Sequence, residues 1–121
     1  MRLLLLSVIA TVGVGVAVLT LQDGGRGAAI DEIHALQSAQ VDYYTQHGRY
    51  AASIKELAPE LSGGEKEGYR FRVTSQGNSY TIFAEPLRVQ LGGRRTFYAD
   101  ETLAIRESRG APATSASPEV K

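Results

Sequence analysis

Few residues in this sequence have the chemistry to catalyse or to hold a ligand, and their spacing decides what they can do. His34 and His47 stand 13 residues apart, which is about 20 Å on a regular helix, too far to share a metal ion. Asp31, His34 and Asp42 could be grouped as ligands, but no third nitrogen or sulfur donor accompanies them, and a solvated helix face is the simpler account. Asp100-Glu101-Thr102 puts oxygen-bearing side chains in a loop that could hold calcium. It lacks the ligand spacing of an EF-hand, so a polar hairpin turn is expected there. No serine lies in a nucleophile motif with a placed base, and no pair of carboxylates is spaced for acid–base work. The chain has no cysteine, which removes thiolate chemistry, cysteine metal sites and disulfides. The expectation is a protein with no catalytic residue, no metal, no cofactor and no small-molecule substrate. The six tyrosines fall at helix-end and strand positions and read as core and rim residues.

Arginine remains. Thirteen basic and thirteen acidic side chains cancel, so no general electrostatic attraction to nucleic acid, and no nucleic-acid partner, is expected. The balance conceals an asymmetry. From Ala28 to Glu67 seven acids (Asp31, Glu32, Asp42, Glu56, Glu60, Glu65, Glu67) face three bases (Arg49, Lys55, Lys66), whereas Gly68 to Arg109 carries seven arginines against four acids. Solvated faces with intramolecular balance explain this, and so does subunit packing between opposed charges. The candidate docking residues for a protein partner are Arg70, Arg72, Arg94 and Arg95.

The elements that must position these arginines follow from periodicity. Ala28 to Gly48 has Ile30, Ile33, Leu36, Ala39 and Tyr43 at steps of three and four, the mark of an amphipathic helix, with Asp31 and Glu32 in its first turns and Gly48 suited to its end. Ser53-Ile54-Lys55-Glu56 has the spacing of a capping box and predicts a short helix through Ala58, closed by Pro59. Glu60 to Gly68 reads as a surface loop. Tyr69 to Thr74 alternates, with Tyr69, Phe71 and Val73 on one face and Arg70, Arg72 and Thr74 on the other. A turn at Gly77-Asn78 leads to Tyr80–Glu85, with Tyr80, Ile82 and Ala84 inward. Arg95–Ala99 gives a third strand with Phe97 inward, and Leu103–Arg106 a fourth with Leu103 and Ile105 inward. A helix with one apolar stripe needs a sheet to cover it, so the domain at 28–107 is α+β, one long amphipathic helix packed on a four-stranded antiparallel meander. Ile33, Leu36, Phe71, Ile82 and Phe97 are the expected core.

Two segments flank the domain. Leu3–Leu21 is a run of 19 residues without charge, about 28 Å long as a helix and so matched to a bilayer of roughly 30 Å. A membrane anchor within residues 1–22 competes with a cleaved signal peptide, for which Arg2 is the positive flank and Gly15-Val16-Ala17 the cleavage site. Both export the domain. Residues 23–27 read as a glycine-rich hinge and 108–121 as a disordered tail, having two prolines and no apolar period.

The order of these parts resembles type IV pilins and pseudopilins. Ser38-Ala39-Gln40-Val41-Asp42-Tyr43-Tyr44 before Gly48-Arg49-Tyr50-Ala51 is similar to the end of the pilin helix. Gly68-Tyr69-Arg70-Phe71, Tyr80 to Pro86, and Arg95-Thr96-Phe97-Tyr98-Ala99-Asp100-Glu101-Thr102 before Ala104-Ile105-Arg106 resemble the sheet of pilin-like domains. The likeness covers about Ala28 to Arg106 and implies a non-enzymatic accessory of a type IV pilus, type II secretion system or related envelope assembly. It implies an inner-membrane protein with its domain in the periplasm; the alternative is an exported soluble binding module. The family's processing motif, a glycine before Phe-Thr-Leu-Ile-Glu, has no counterpart here, and no glutamate precedes Asp23, which argues for an accessory rather than a filament shaft. Leu103 stands where the pattern has glycine.

Overall fold

The computed structural model describes residues 25–88 and 94–120. The expected anchor at 3–21 lies outside the described residues, as do the hinge residues 23 and 24. Among the described residues no helix is long and apolar enough to cross a membrane.

One long helix, Arg26–His47, lies across an antiparallel sheet. It begins two residues before the expected start, so Gly27 lies inside it, and Asp31 and Glu32 fall beyond its first turn. It ends as expected: Gly48 takes φ 72° and donates its N–H to the Tyr44 carbonyl at 2.8 Å, the left-handed closure glycine makes without a Cβ clash. Its buried residues are Ala29, Ile33, Leu36, Gln37 and Gln40, so the inward face is rotated toward the glutamines, away from Ala39 and Tyr43. Gln40 explains the rotation. Its side chain is fully buried, donates to the Ala51 carbonyl at 3.0 Å and accepts the Ala51 N–H at 2.8 Å. That two-way clasp satisfies four polar groups at once and ties the departing chain to the helix.

The short helix Ile54–Leu57 is capped by Ser53, whose hydroxyl accepts the Glu56 N–H at 3.2 Å. The expected reciprocal bond is displaced by one residue, because the Glu56 carboxylate accepts the Ala52 N–H at 2.8 Å and pairs with Arg49 at 3.1 Å.

The sheet has five strands, in sequence order: β1 Glu65–Lys66, β2 Tyr69–Gln76, β3 Ser79–Pro86, β4 Arg95–Asp100 and β5 Ile105–Arg109. The expectation of four omitted β1, a two-residue strand inside the 60–68 loop with no alternation to betray it. Tyr69, Phe71 and Val73 of β2, Tyr80, Ile82 and Ala84 of β3, and Phe97 and Ala99 of β4 are buried against Ile33 and Leu36 of the helix. All five expected core residues are among them. Leu103 is not: it was expected inward, but β5 starts at Ile105 and Leu103 is 57% exposed. The β4–β5 turn needs one residue in the left-handed region, and Leu103 fills it at φ 72°, a conformation that costs a non-glycine residue about 1–2 kcal/mol.

Composition predicts no order beyond Ser108, yet residues up to Val120 lie against the sheet. Thr96 Oγ1 donates to the Ala111 carbonyl at 2.7 Å and accepts the Ala113 N–H at 2.9 Å, while the Glu107 and Val120 amides bond to Pro118 and Ile105 carbonyls. Val120 packs against the core. Backbone groups of the segment, with the side chains of Ala113 and Val120, do the holding, and none of these leaves a periodic signature.

Candidate interaction surface

The face of the sheet turned away from the long helix carries the arginines. Strand alternation sends Arg70 and Arg72 outward, and the antiparallel register then decides their neighbours. Arg72 is paired with Phe83, Phe83 with Tyr98, and Tyr98 with Arg106, so one row crosses four strands with a cation at each end and two aromatic rings between. At about 4.8 Å per strand, its ends are roughly 14 Å apart. The Arg72 guanidinium carbon stands 5.1 Å from the Phe83 ring centroid, and the Phe83 and Tyr98 rings meet edge-to-face at 5.6 Å. Contacts of this kind hold the side chains in place without neutralising the cation.

Charge at the far end is fixed by hydrogen bonds. Tyr98 donates to Asp100 Oδ2 at 3.1 Å; burial, then that bond, pushes its phenol up. Burial works against the Asp100 carboxylate, but the Thr102 hydroxyl and N–H and the Tyr98 hydroxyl outweigh it and hold Asp100 below the usual range. The Asp100-Glu101-Thr102 triplet, expected from the sequence to be a polar hairpin turn, is an internally bonded turn. Among the described residues no three His, Asp or Glu side chains gather to hold a metal ion. Arg106 donates to the Ser117 carbonyl at 2.9 Å, so the C-terminal segment braces this cation.

The four candidate docking arginines separate. Arg72 is in the row. Arg70 pairs with Glu65 at 3.0 Å and Arg94 with Glu85 at 3.1 Å, exposed pairs that contribute little to stability and can be exchanged. Arg94, Arg72, Phe83, Glu85, Thr96 and Ala111 line a groove of about 330 Å³ beside the row. Arg95 departs from the expectation. It shares its face with Phe97 and Ala99, the helix side, and its Nε is buried without a partner among the described residues. Phe83, Tyr98 and Arg106 were not singled out from the sequence. The inward set Tyr80, Ile82 and Ala84 already implied an outward phenylalanine at 83, but joining it to Arg72 and Tyr98 needs the register.

A long helix laid on an antiparallel meander is the plan of a type IV pilin-like domain. Residues 20–95 match the family described as type IV minor pilin ComP, DNA uptake sequence receptor, and the chain belongs to that family. No curated protein and no solved structure matches it.

Proposed function

We propose that the chain is a non-enzymatic accessory subunit of a type IV pilus system, anchored in the inner membrane through residues 3–21, whose outer sheet face contacts DNA outside the cytoplasm. The Arg72–Phe83–Tyr98–Arg106 row carries this reading: two cations on a rigid sheet suit phosphates, and the rings between them suit sugars and bases. The family's description names DNA, and the zero net charge of the chain does not oppose a local contact. It argues only against strong long-range steering.

Fluorescence anisotropy of a labelled DNA duplex with the full chain in detergent tests this. Two phosphate contacts make binding about tenfold weaker between 50 and 200 mM salt. Arg72→Glu with Arg106→Glu should abolish binding and leave the melting temperature within a few degrees. Equal binding by this variant would remove DNA from the reading and leave the face to a protein partner. An exported soluble module remains the second reading, favoured by the Gly15-Val16-Ala17 cleavage pattern. The intact mass of the mature protein separates the two, because cleavage there starts the chain near Val18.

A further inference from the structure

Beside the row, on the same outer face, stands an ion pair that the fold does not need. Glu85 lies two residues beyond Phe83 on β3, and Arg94 stands just before β4 with the outward parity of Thr96 and Tyr98. Arg94 Nη2 donates to Glu85 Oε2 at 3.1 Å, and the two side chains are 48% and 35% exposed, so the pair adds little stability. That single bond leaves Nε and Nη1 of the arginine and Oε1 of the glutamate without a hydrogen bond among the described residues. Arg70, directly across from Glu85 in the register, is occupied by Glu65. Both members of the pair line the groove of about 330 Å³ together with Arg72 and Phe83 of the row. Glu85 is one strand repeat, about 7 Å, from the row itself.

The geometry points to Arg94 and Glu85 as the part of this site that distinguishes base pairs, by taking the major-groove edge of a G·C pair; the inference rests on the DNA reading above. A phosphate suits the pair poorly, because the carboxylate beside the guanidinium repels it. A base-pair edge is neutral and sets acceptors beside donors. In the major groove guanine shows two acceptors, O6 and N7, which an arginine meets with two N–H groups, and its cytosine shows the N4 donor, which a carboxylate accepts. A guanidinium and a carboxylate already side by side supply those functions in that order, and the bond between them survives while the unused Nε, Nη1 and Oε1 are engaged. An A·T pair fails on both counts. Adenine puts the N6 donor where guanine has O6, so the arginine loses a bond, and thymine puts the O4 acceptor where cytosine has its donor, so the carboxylate is repelled. Access agrees as well, because the pair sits at one end of two neighbouring strands, and the major groove, about 12 Å wide, admits a two-stranded ribbon.

Three labelled duplexes of equal length, titrated with the full chain in detergent and followed by anisotropy, test the assignment. One alternates guanine and cytosine, one adenine and thymine, and one inosine and cytosine. Inosine keeps O6 and N7 but lacks the minor-groove amine of guanine, so the third duplex matches the first in the major groove and the second in the minor groove. The parent should bind the guanine and inosine duplexes alike and the adenine duplex about fivefold or more weakly. Glu85→Ala should reduce that preference by about twofold or more, whereas a carboxylate acting only as a nearby negative charge would, once removed, strengthen binding to all three by one factor. Arg94→Lys keeps the charge but loses the planar fork, so its preference should fall below about twofold. Both substitutions change solvated side chains, and an unchanged melting temperature verifies the fold. Equal binding of the three duplexes by the parent, inosine bound like adenine, or a preference that survives in both variants would overturn the role of this pair and leave the row's contact with DNA standing. Binding of none of the duplexes would remove the DNA reading and this inference with it.

Discussion

The two faces of the sheet are built from the same alternating strands but do opposite work. The inner face buries Tyr69, Phe71, Val73, Ile82 and Phe97 against the helix and supplies stability. The outer face spends its large side chains on a row, Arg72, Phe83, Tyr98 and Arg106, that remains in reach of solvent. Burial is set within each strand by its own period. A surface site, by contrast, is set between strands, by which residue stands opposite which.

Removing the inner face should have the largest effect. Phe71→Ala or Phe97→Ala deletes a fully buried ring and should lower unfolding free energy by about 3–5 kcal/mol, a large share of what a domain this size has; urea denaturation measures it. Arg72→Ala on the other face should change the same quantity by less than about 1 kcal/mol. Comparable losses from both would erase the distinction between the faces.

The clasp between helix and loop comes next. Gln40→Leu keeps the volume but leaves the Ala51 N–H and carbonyl buried and unpaired, and should destabilise by about 2–4 kcal/mol. An unchanged melting curve would mean those groups find other partners.

Tyr80 sharpens the comparison, because it is an inner-face residue with a polar end in the wrong place. Its hydroxyl is buried without a partner among the described residues, and burial, then the neighbouring Tyr50, pushes its pKa from 10.0 to about 12. A raised folded-state pKa means a stabilising contribution that is whole below pH 10 and lost as pH rises through about 12. Tyr80→Phe should therefore melt at the same temperature as the parent or slightly higher at neutral pH, and should flatten the alkaline decline between pH 10 and 12. A clear loss at neutral pH would show the hydroxyl to be bonded.

The smallest effect belongs to the solvated pair at the helix end. The hydrogen bond from Arg49, then the one from the Ala52 N–H, lowers Glu56 from 4.5 to about 2. A depressed carboxylate stabilises above its unfolded value and loses that contribution as pH falls toward 2. Because the pair is exposed, screening keeps it weak. Arg49→Gln should reduce the slope of melting temperature against pH between 4.5 and 2 and change little at pH 7.

Much of the inner face was legible in the sequence, since Phe71, Ile82 and Phe97 obey a period of two and Ile33 and Leu36 a period near 3.6. The helix face was misjudged where polar residues took core positions: Gln37 and Gln40 are buried in place of Ala39 and Tyr43, Gln40 by its bonds to Ala51, and hydropathy cannot see a bond. β1 was missed because two residues carry no alternation, and Leu103 because a turn's need for a left-handed residue overrode an apolar side chain. The outer face was legible residue by residue but not as a site. Arg72 was visible, but Phe83, Tyr98 and Arg106 join it only through register, and Arg95 is turned away because it shares the parity of Phe97.

The central claim is that the row on the outer face meets DNA while the rest of the surface does not. The chain contains no tryptophan, so Phe83→Trp introduces a single reporter at the middle of the row, and Tyr44→Trp places one on the exposed end of the long helix. With duplex DNA bound at saturation, as followed by anisotropy, Phe83→Trp emission should be quenched about twofold or more by base or sugar contact, and Tyr44→Trp emission should not change. Saturated binding with an unchanged signal at 83, or quenching at 44 alone, would contradict the account.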